Sequence, residues 1–426
     1  MTIVITIIAI FFYVLHTNPL IILNKDYTSE NLEIASSLLL IQSVFSFNTI
    51  LLKYVSSVFQ VRIEQFIFQK INILSNLIKI FSVFYFFNGS NFNIVGYFFF
   101  VKVVELVSLT FALLVIKSRY SIKFKDIIAS FKFDINIFRR TKVLAFGSFV
   151  TSLIWILYYE LDLIIIGKTL GPDASATYAI AFLFVQLLRT VSSVVFSPFQ
   201  SRYNHFVGTN NFNELKSFLK KVIVMTMPLF VFGVISVIIF SKNIILTWSG
   251  YQYLDAASIL SVLVIIHLFN FINIPVSNLL VSLEKIKLIY IINILTPILF
   301  WGGVILTIDC LGLMSFAIFK TITSFTCFVV YFLFCANFLK ITIRRCMLFF
   351  CHNFGFALII HVILLLTLTY GFSDLLPSEK SYLGFIIICM ISLILFFSSI
   401  ISLVITSKFY KQNVLLLFRN IKYTIS

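Results

Sequence analysis

Seven ionisable side chains stand inside stretches that are otherwise apolar: Lys79, Lys102, Glu105, Glu160, Asp162, Arg189 and Lys320. A charge at mid-membrane depth costs about 2.5–3.5 kcal/mol on insertion scales, so each needs a partner or a watered cavity. Lys102 and Glu105, three apart, share a helix face and can neutralise one another. Lys79, Arg189 and Lys320 have no acid within helical reach in the sequence, so any partner must come from another helix or from a ligand. Three such cations suggest an anionic ligand, for which arginine offers two-pronged phosphate contacts and lysine a point charge. Pairing with Glu105, Glu160 or Asp162 is the alternative. Glu160 and Asp162, two apart, point about 200° from each other on a helix and cannot both face one cavity. Trp155, Tyr158 and Asp162 fall on one helical stripe, a mixture of rings and carboxylate suited to sugar hydroxyls; an aromatic belt at head-group level is the other reading.

Other chemistry is poorly supported. His267 and His361 are isolated in apolar runs and read as buried imidazoles with local partners rather than proton relays. The six cysteines include no CxxC pair, so neither a metal site nor a disulfide framework follows. No glycine-rich phosphate loop occurs, and no cofactor is expected. Pro275, in FNFINIPVSNLL, frees a backbone carbonyl among asparagines, which makes its helix a candidate hinge.

The elements that must hold these residues follow from composition. Of 426 residues 60% are hydrophobic and only 11% charged, far from a soluble domain. Breaking the chain at Gly, Pro, Asn and charged residues gives twelve helices, at about 1–15, 34–57, 64–87, 94–116, 143–166, 174–197, 219–241, 256–281, 288–308, 311–336, 347–371 and 382–406. Helices are required because backbone groups in hydrocarbon must bond within their own segment. The basic residues test this segmentation. One set of alternate connections holds 24 of them, the other only Lys25, Lys168, Lys242 and Lys380. By the positive-inside rule both termini are cytoplasmic. The net charge of +16 then reflects orientation and anionic lipid rather than nucleic acid.

The expected organisation is an N-lobe over 1–116, a basic linker over 117–142 that lies on the membrane or is solvated, a C-lobe over 143–340, and a terminal helix pair with a basic tail over 341–426.

The stretch ELDLIIIGKTLGPDASATYAIAF, from Glu160 to Phe182, followed by SPFQSRYNHFVGTNNFNELKSFLKK, resembles the seventh and eighth helices and next loop of Wzx-type polysaccharide exporters. These O-antigen flippases are part of the multidrug/oligosaccharidyl-lipid/polysaccharide exporter superfamily. The Pro275 helix, the polar bend SLEKIK before a helix carrying Asn293, and the helix pair after Lys340 are similar too. The resemblance implies an all-α membrane protein of two pseudo-repeated lobes around a central cationic cavity. It further implies export of a polyprenyl-pyrophosphate-linked oligosaccharide, an O-antigen or capsule unit, across the bacterial cytoplasmic membrane. Asp162 matches the acid at the start of the second lobe; Arg189, Lys79 and Lys320 match only the general expectation of cavity cations. Four spans precede that lobe where the family has six, so the first lobe is expected to lack its first two helices.

The preferred reading is a flippase working by alternating access. Its expected partners are a lipid-linked oligosaccharide, membrane lipids, an H+ or Na+ gradient acting through Asp162 or Glu160, and polysaccharide polymerase machinery. A pump for organic cations on the same fold is the alternative, and would favour unpaired acids over unpaired bases. A membrane polymerase or acyltransferase is disfavoured. The first would need a long outside loop and the second a histidine at a membrane surface.

Overall fold

The computed structural model describes residues 2–23, 28–62, 64–87, 92–120, 135–373, 376–377 and 379–412. These residues form helices joined by short turns, with no strand among them. The chain divides into two compact units, Met1–Gly147 and Ser148–Ser426.

The N-terminal unit contains α1 (Thr2–Thr17), α2 (Ser29–Val44), α3 (Ser46–Val61), α4 (Gln65–Phe86), α5 (Ile94–Tyr120) and the start of α6 (Ile135–Tyr159). The Thr28 hydroxyl accepts from the Asn31 amide and caps α2. α2 and α3 are bent by 44° relative to each other. Val55, Phe59, Phe68, Ile71, Leu109, Ala112 and Ile116 form the core of this unit. Phe81 and Phe84 are about 70% exposed, as side chains facing hydrocarbon are.

The C-terminal unit holds the rest of α6, then α7 (Leu161–Thr169), α8 (Pro172–Gly208), α9 (Phe212–Ile239), α10 (Ser241–Trp248), α11 (Ala256–Leu263), α12 (Asn270–Ser282), α13 (Ile286–Leu311), α14 (Met314–Leu339), α15 (Ile343–Leu366) and α16 (Tyr382–Thr406). Gly171, at φ 89°, occupies a region that residues with a Cβ avoid, and Pro172 then opens α8. Gly303 on α13 lies under the Phe319 ring of α14: a Cβ there would fall 1.9 Å from Cδ1. This is the close approach that small residues permit between membrane helices.

Among the described residues nine helices are long and apolar enough to cross a membrane, eleven if each bent pair counts as one span. The first expected span, α1, has 16 residues, about 24 Å, and falls short of a ~30 Å hydrocarbon layer. The chain is a multi-pass, all-helical membrane protein.

Two boundaries differ from the sequence reading. α8 continues to Gly208, 37 residues or about 55 Å, where a polar loop was expected after 197. The helix persists because Phe196 and Tyr203 stay buried against Leu215 and Leu219 of α9. Around Pro275 the helix is unbroken; the departure from α geometry is a tighter segment at Val264–Phe269, nearer the start of the span. Pro275 cannot donate to the carbonyl four residues before it.

Most of the expected linker, 121–134, lies outside the described residues, as do Lys25, Arg419 and Lys422.

Candidate functional site

α6 and α7 are bent by 40° at Glu160. A continuous helix would put Trp155, Tyr158 and Asp162 on one stripe; the bend separates them. Asp162 falls in the first turn of α7, where the positive end of the helix dipole favours a carboxylate. It is fully buried. Its Oδ1 accepts from the Leu163 amide at 3.0 Å, and its Oδ2 accepts from Tyr178 Oη of α8 at 2.7 Å and from Lys320 Nζ of α14. Lys320 is fully buried as well, and the faces of Tyr158, Tyr159, Tyr178, Phe182 and Phe300 surround its ammonium, Phe182 nearest at 4.4 Å. The expectation that Asp162 and Lys320 both open onto a cavity is therefore corrected: each is the other's counter-ion. Pairing the two is the low-cost way to hold either charge in oil.

Lys79 and Lys102 are placed similarly in the N-terminal unit. Lys79 Nζ of α4 donates to Glu105 Oε1 of α5 at 3.2 Å, and Lys102 Nζ lies 3.5 Å from Glu105 Oε2. The expected Lys102–Glu105 pair is thus a three-member cluster, and the acid that Lys79 lacked in sequence comes from the neighbouring helix.

Arg189 differs from the other cations. It projects from α8 into a cavity of about 440 Å³ inside the C-terminal unit. Trp155 and Tyr159 of α6, four residues apart with ring centroids 4.3 Å from each other, hold its guanidinium carbon 5.0 and 5.2 Å from their centres. Glu160 Oε1 stands 4.0 Å away, beyond hydrogen-bond distance, on a side chain nearly half exposed. Two ring faces and this long ion pair position the guanidinium, and with no hydrogen bond to the carboxylate its N–H donors remain for an anion. Tyr158, on the cavity wall, bonds Thr323 Oγ1 at 2.8 Å and donates to the Lys320 carbonyl, tying α6 to α14. Trp301 Nε1 on α13 donates to the Leu157 carbonyl at 2.8 Å.

Amides and hydroxyls line the remaining wall, mainly from α12 and α13. Among the described lining residues no carboxylate occurs. His267 contributes, with Nε2 2.9 Å from the Val185 carbonyl and Nδ1 accepting from Asn270 at 2.8 Å. His361 is buried against Ser399, Ser236 and the Phe232 carbonyl, away from the cavity. Both are buried imidazoles with local partners. Pro275 is buried within α12.

Sequence reasoning gave no role to Tyr178 or Tyr159, and read Asn273 only as a polar neighbour of Pro275. Tyr178 lies in the family-like stretch, and its sixteen-residue separation from Asp162 spans the helix break, so no periodicity links them. No group of three His, Cys, Asp or Glu side chains suited to a metal occurs among the described residues. All six cysteines are free.

The MatE family model matches residues 148–300, which include most of the cavity wall. No curated protein matches the chain. Among solved structures, the lipid II flippase MurJ in an inward closed conformation is similar over 97% of this chain and 82% of its own, with a TM-score of 0.71 and 17% identity. A MOP superfamily transporter from Pyrococcus furiosus, described as having a binding pocket of reversed polarity that suggests a different function, is similar over 79% and 77%, with a TM-score of 0.54 and 14% identity. The chain therefore shares the all-helical fold of the MurJ structure.

Proposed function

We propose that this protein exports a polyprenyl-pyrophosphate-linked oligosaccharide, a repeat unit of O-antigen or capsule, across a bacterial cytoplasmic membrane by alternating access. The observation that carries this reading is Arg189: a half-buried guanidinium, stacked on two rings, facing a polar cavity without a lining acid. Its fork matches two phosphate oxygens at once. The rings and amides around it suit sugar faces and hydroxyls, and the polyprenyl tail stays in the bilayer. The fold supports the transport class, and the flippase described for MurJ supports a lipid-linked cargo. A cation pump on this fold would instead need an acid in the cavity. Both termini, on this reading, face the cytoplasm. An ion gradient is the expected energy source; Asp162, sealed in its pair, is a poorer entry point for it than Glu160 at the cavity margin.

Replacement of Arg189 tests the reading. Arg189→Ala is expected to lower surface glycan display at least tenfold at unchanged protein level, with lipid-linked units accumulating inside, since a charge-assisted contact contributes about 1.5–3 kcal/mol. Arg189→Lys, which keeps the charge and loses the fork, falls between. Full display in Arg189→Ala cells, or reduced accumulation of an organic cation such as ethidium in cells making the native protein, would overturn the proposal.

A further inference from the structure

The cavity's hydrogen-bonding inventory is lopsided. Arg189 is its one formal charge among the described lining residues, because the bonds of His267, Nε2 facing a carbonyl and Nδ1 accepting from an amide, are those of a neutral ring. Asn270 is already used, donating to Ser192 and His267. Asn273 and Asn278 of α12 and Asn293 of α13 line the same wall. Asn273 is the sharpest case: its Oδ1 is sealed from solvent and accepts nothing. Buried acceptors of this kind are rare in folded proteins and call for an external donor.

A primary amide presents one carbonyl acceptor and two N–H donors. That combination is a poor second phosphate site, because the oxygen repels an anion. It complements groups that donate and accept together, which are the hydroxyls of a sugar and the N–H and C=O of an acetamido substituent.

We propose that Asn273, Asn278 and Asn293 form a glycan-reading subsite that takes an uncharged sugar carrying hydroxyl and acetamido groups, while Arg189 takes the pyrophosphate. This inference rests on the function proposed above and adds the cargo's charge class. A uronic acid on the same sugar would bring a second negative charge into a cavity with one cation, so acidic sugars are selected against.

The test uses the purified full chain in lipid nanodiscs and three probes: undecaprenyl pyrophosphate, the same lipid carrying N-acetylglucosamine, and the same lipid carrying glucuronic acid. The native protein is expected to bind the N-acetylglucosamine lipid at least tenfold more tightly than either of the others. The triple variant Asn273→Ala, Asn278→Ala, Asn293→Ala is expected to lose that preference, by on the order of 100-fold for three hydrogen bonds, while bare undecaprenyl pyrophosphate binds unchanged. If the triple variant is not monodisperse, the three single variants replace it, each expected to lose roughly fivefold. A preference that survives these substitutions, or equal binding of glucuronic acid and N-acetylglucosamine lipids, overturns the inference and leaves the exporter reading intact. Failure of the native protein to bind any of the three lipids overturns the exporter reading itself.

Discussion

Removing one charge from the Asp162–Lys320 pair is the sharpest test of the packing. Both residues have no solvent exposure, so neither can turn to water when its partner is lost. Asp162→Asn keeps the shape and an acceptor for Tyr178 but strands the ammonium among aromatic rings. Breaking a buried pair from one side costs about 3–5 kcal/mol. With each kcal/mol lowering the melting midpoint by about 2–4 °C in a unit of this order of size, the expected loss is roughly 6–20 °C. Lys320→Met strands the carboxylate and is expected to cost a similar amount. The double variant removes both charges together. Apolar or neutral replacement of a whole buried pair is often neutral or stabilising, so it should return to within about 1 kcal/mol of the native protein. The assay is the surviving monodisperse fraction of detergent-solubilised protein after a heating series, read by size-exclusion chromatography. If either single variant melts with the native protein, or the double variant loses the sum of the two single losses, the pair does not hold the helices as argued.

Further predictions concern other parts of the structure. Glu105→Gln removes the acid shared by Lys79 and Lys102 and is expected to destabilise the N-terminal unit by about 1–3 kcal/mol, more than Lys79→Gln does, in the same heating assay. Gly303→Ala forces the Phe319 ring aside and is expected to cost about 1–3 kcal/mol, largely recovered in Gly303→Ala/Phe319→Leu. At the start of α4, the Arg119 guanidinium and Tyr120 hydroxyl on Glu64 hold its carboxyl below the ordinary 4.5. Its contribution is therefore complete above about pH 4.5 and lost as pH falls through the lower folded value. The melting difference between native protein and Glu64→Gln should be small and constant at neutral pH and should close on acidification.

The class of fold was legible because hydrocarbon imposes a single rule on the backbone: a dozen apolar runs with basic residues at alternate breaks leave no other arrangement. The charged residues were legible as anomalies, yet their partners were not. Lys320 finds Asp162 across 158 residues, and Lys79 finds Glu105 on the next helix, pairings that helical periodicity cannot express. Arg189 looked no different in sequence from Lys79 or Lys320. Its distinction is that its acid, Glu160, sits at the bend between α6 and α7 and meets it only as a long 4.0 Å ion pair. The bend also defeated the Trp155–Tyr158–Asp162 stripe, since a spacing argument presupposes one straight helix. The asparagines of α12 were visible as polar neighbours of Pro275, but that the Asn273 carbonyl is left without an internal partner depends on how the helices pack around it.

Tyr178 and Arg189 are eleven residues apart on α8, about 16 Å along an uninterrupted rod. The phenol is clamped to the sealed acid, so the rod cannot spin about its long axis without tearing that clamp. The angle at which the guanidinium meets its visitor is consequently set far from the place of meeting. If this unit carries cargo, it must tip as one piece, and the side chain that greets the phosphate rides along without adjusting its own bearing.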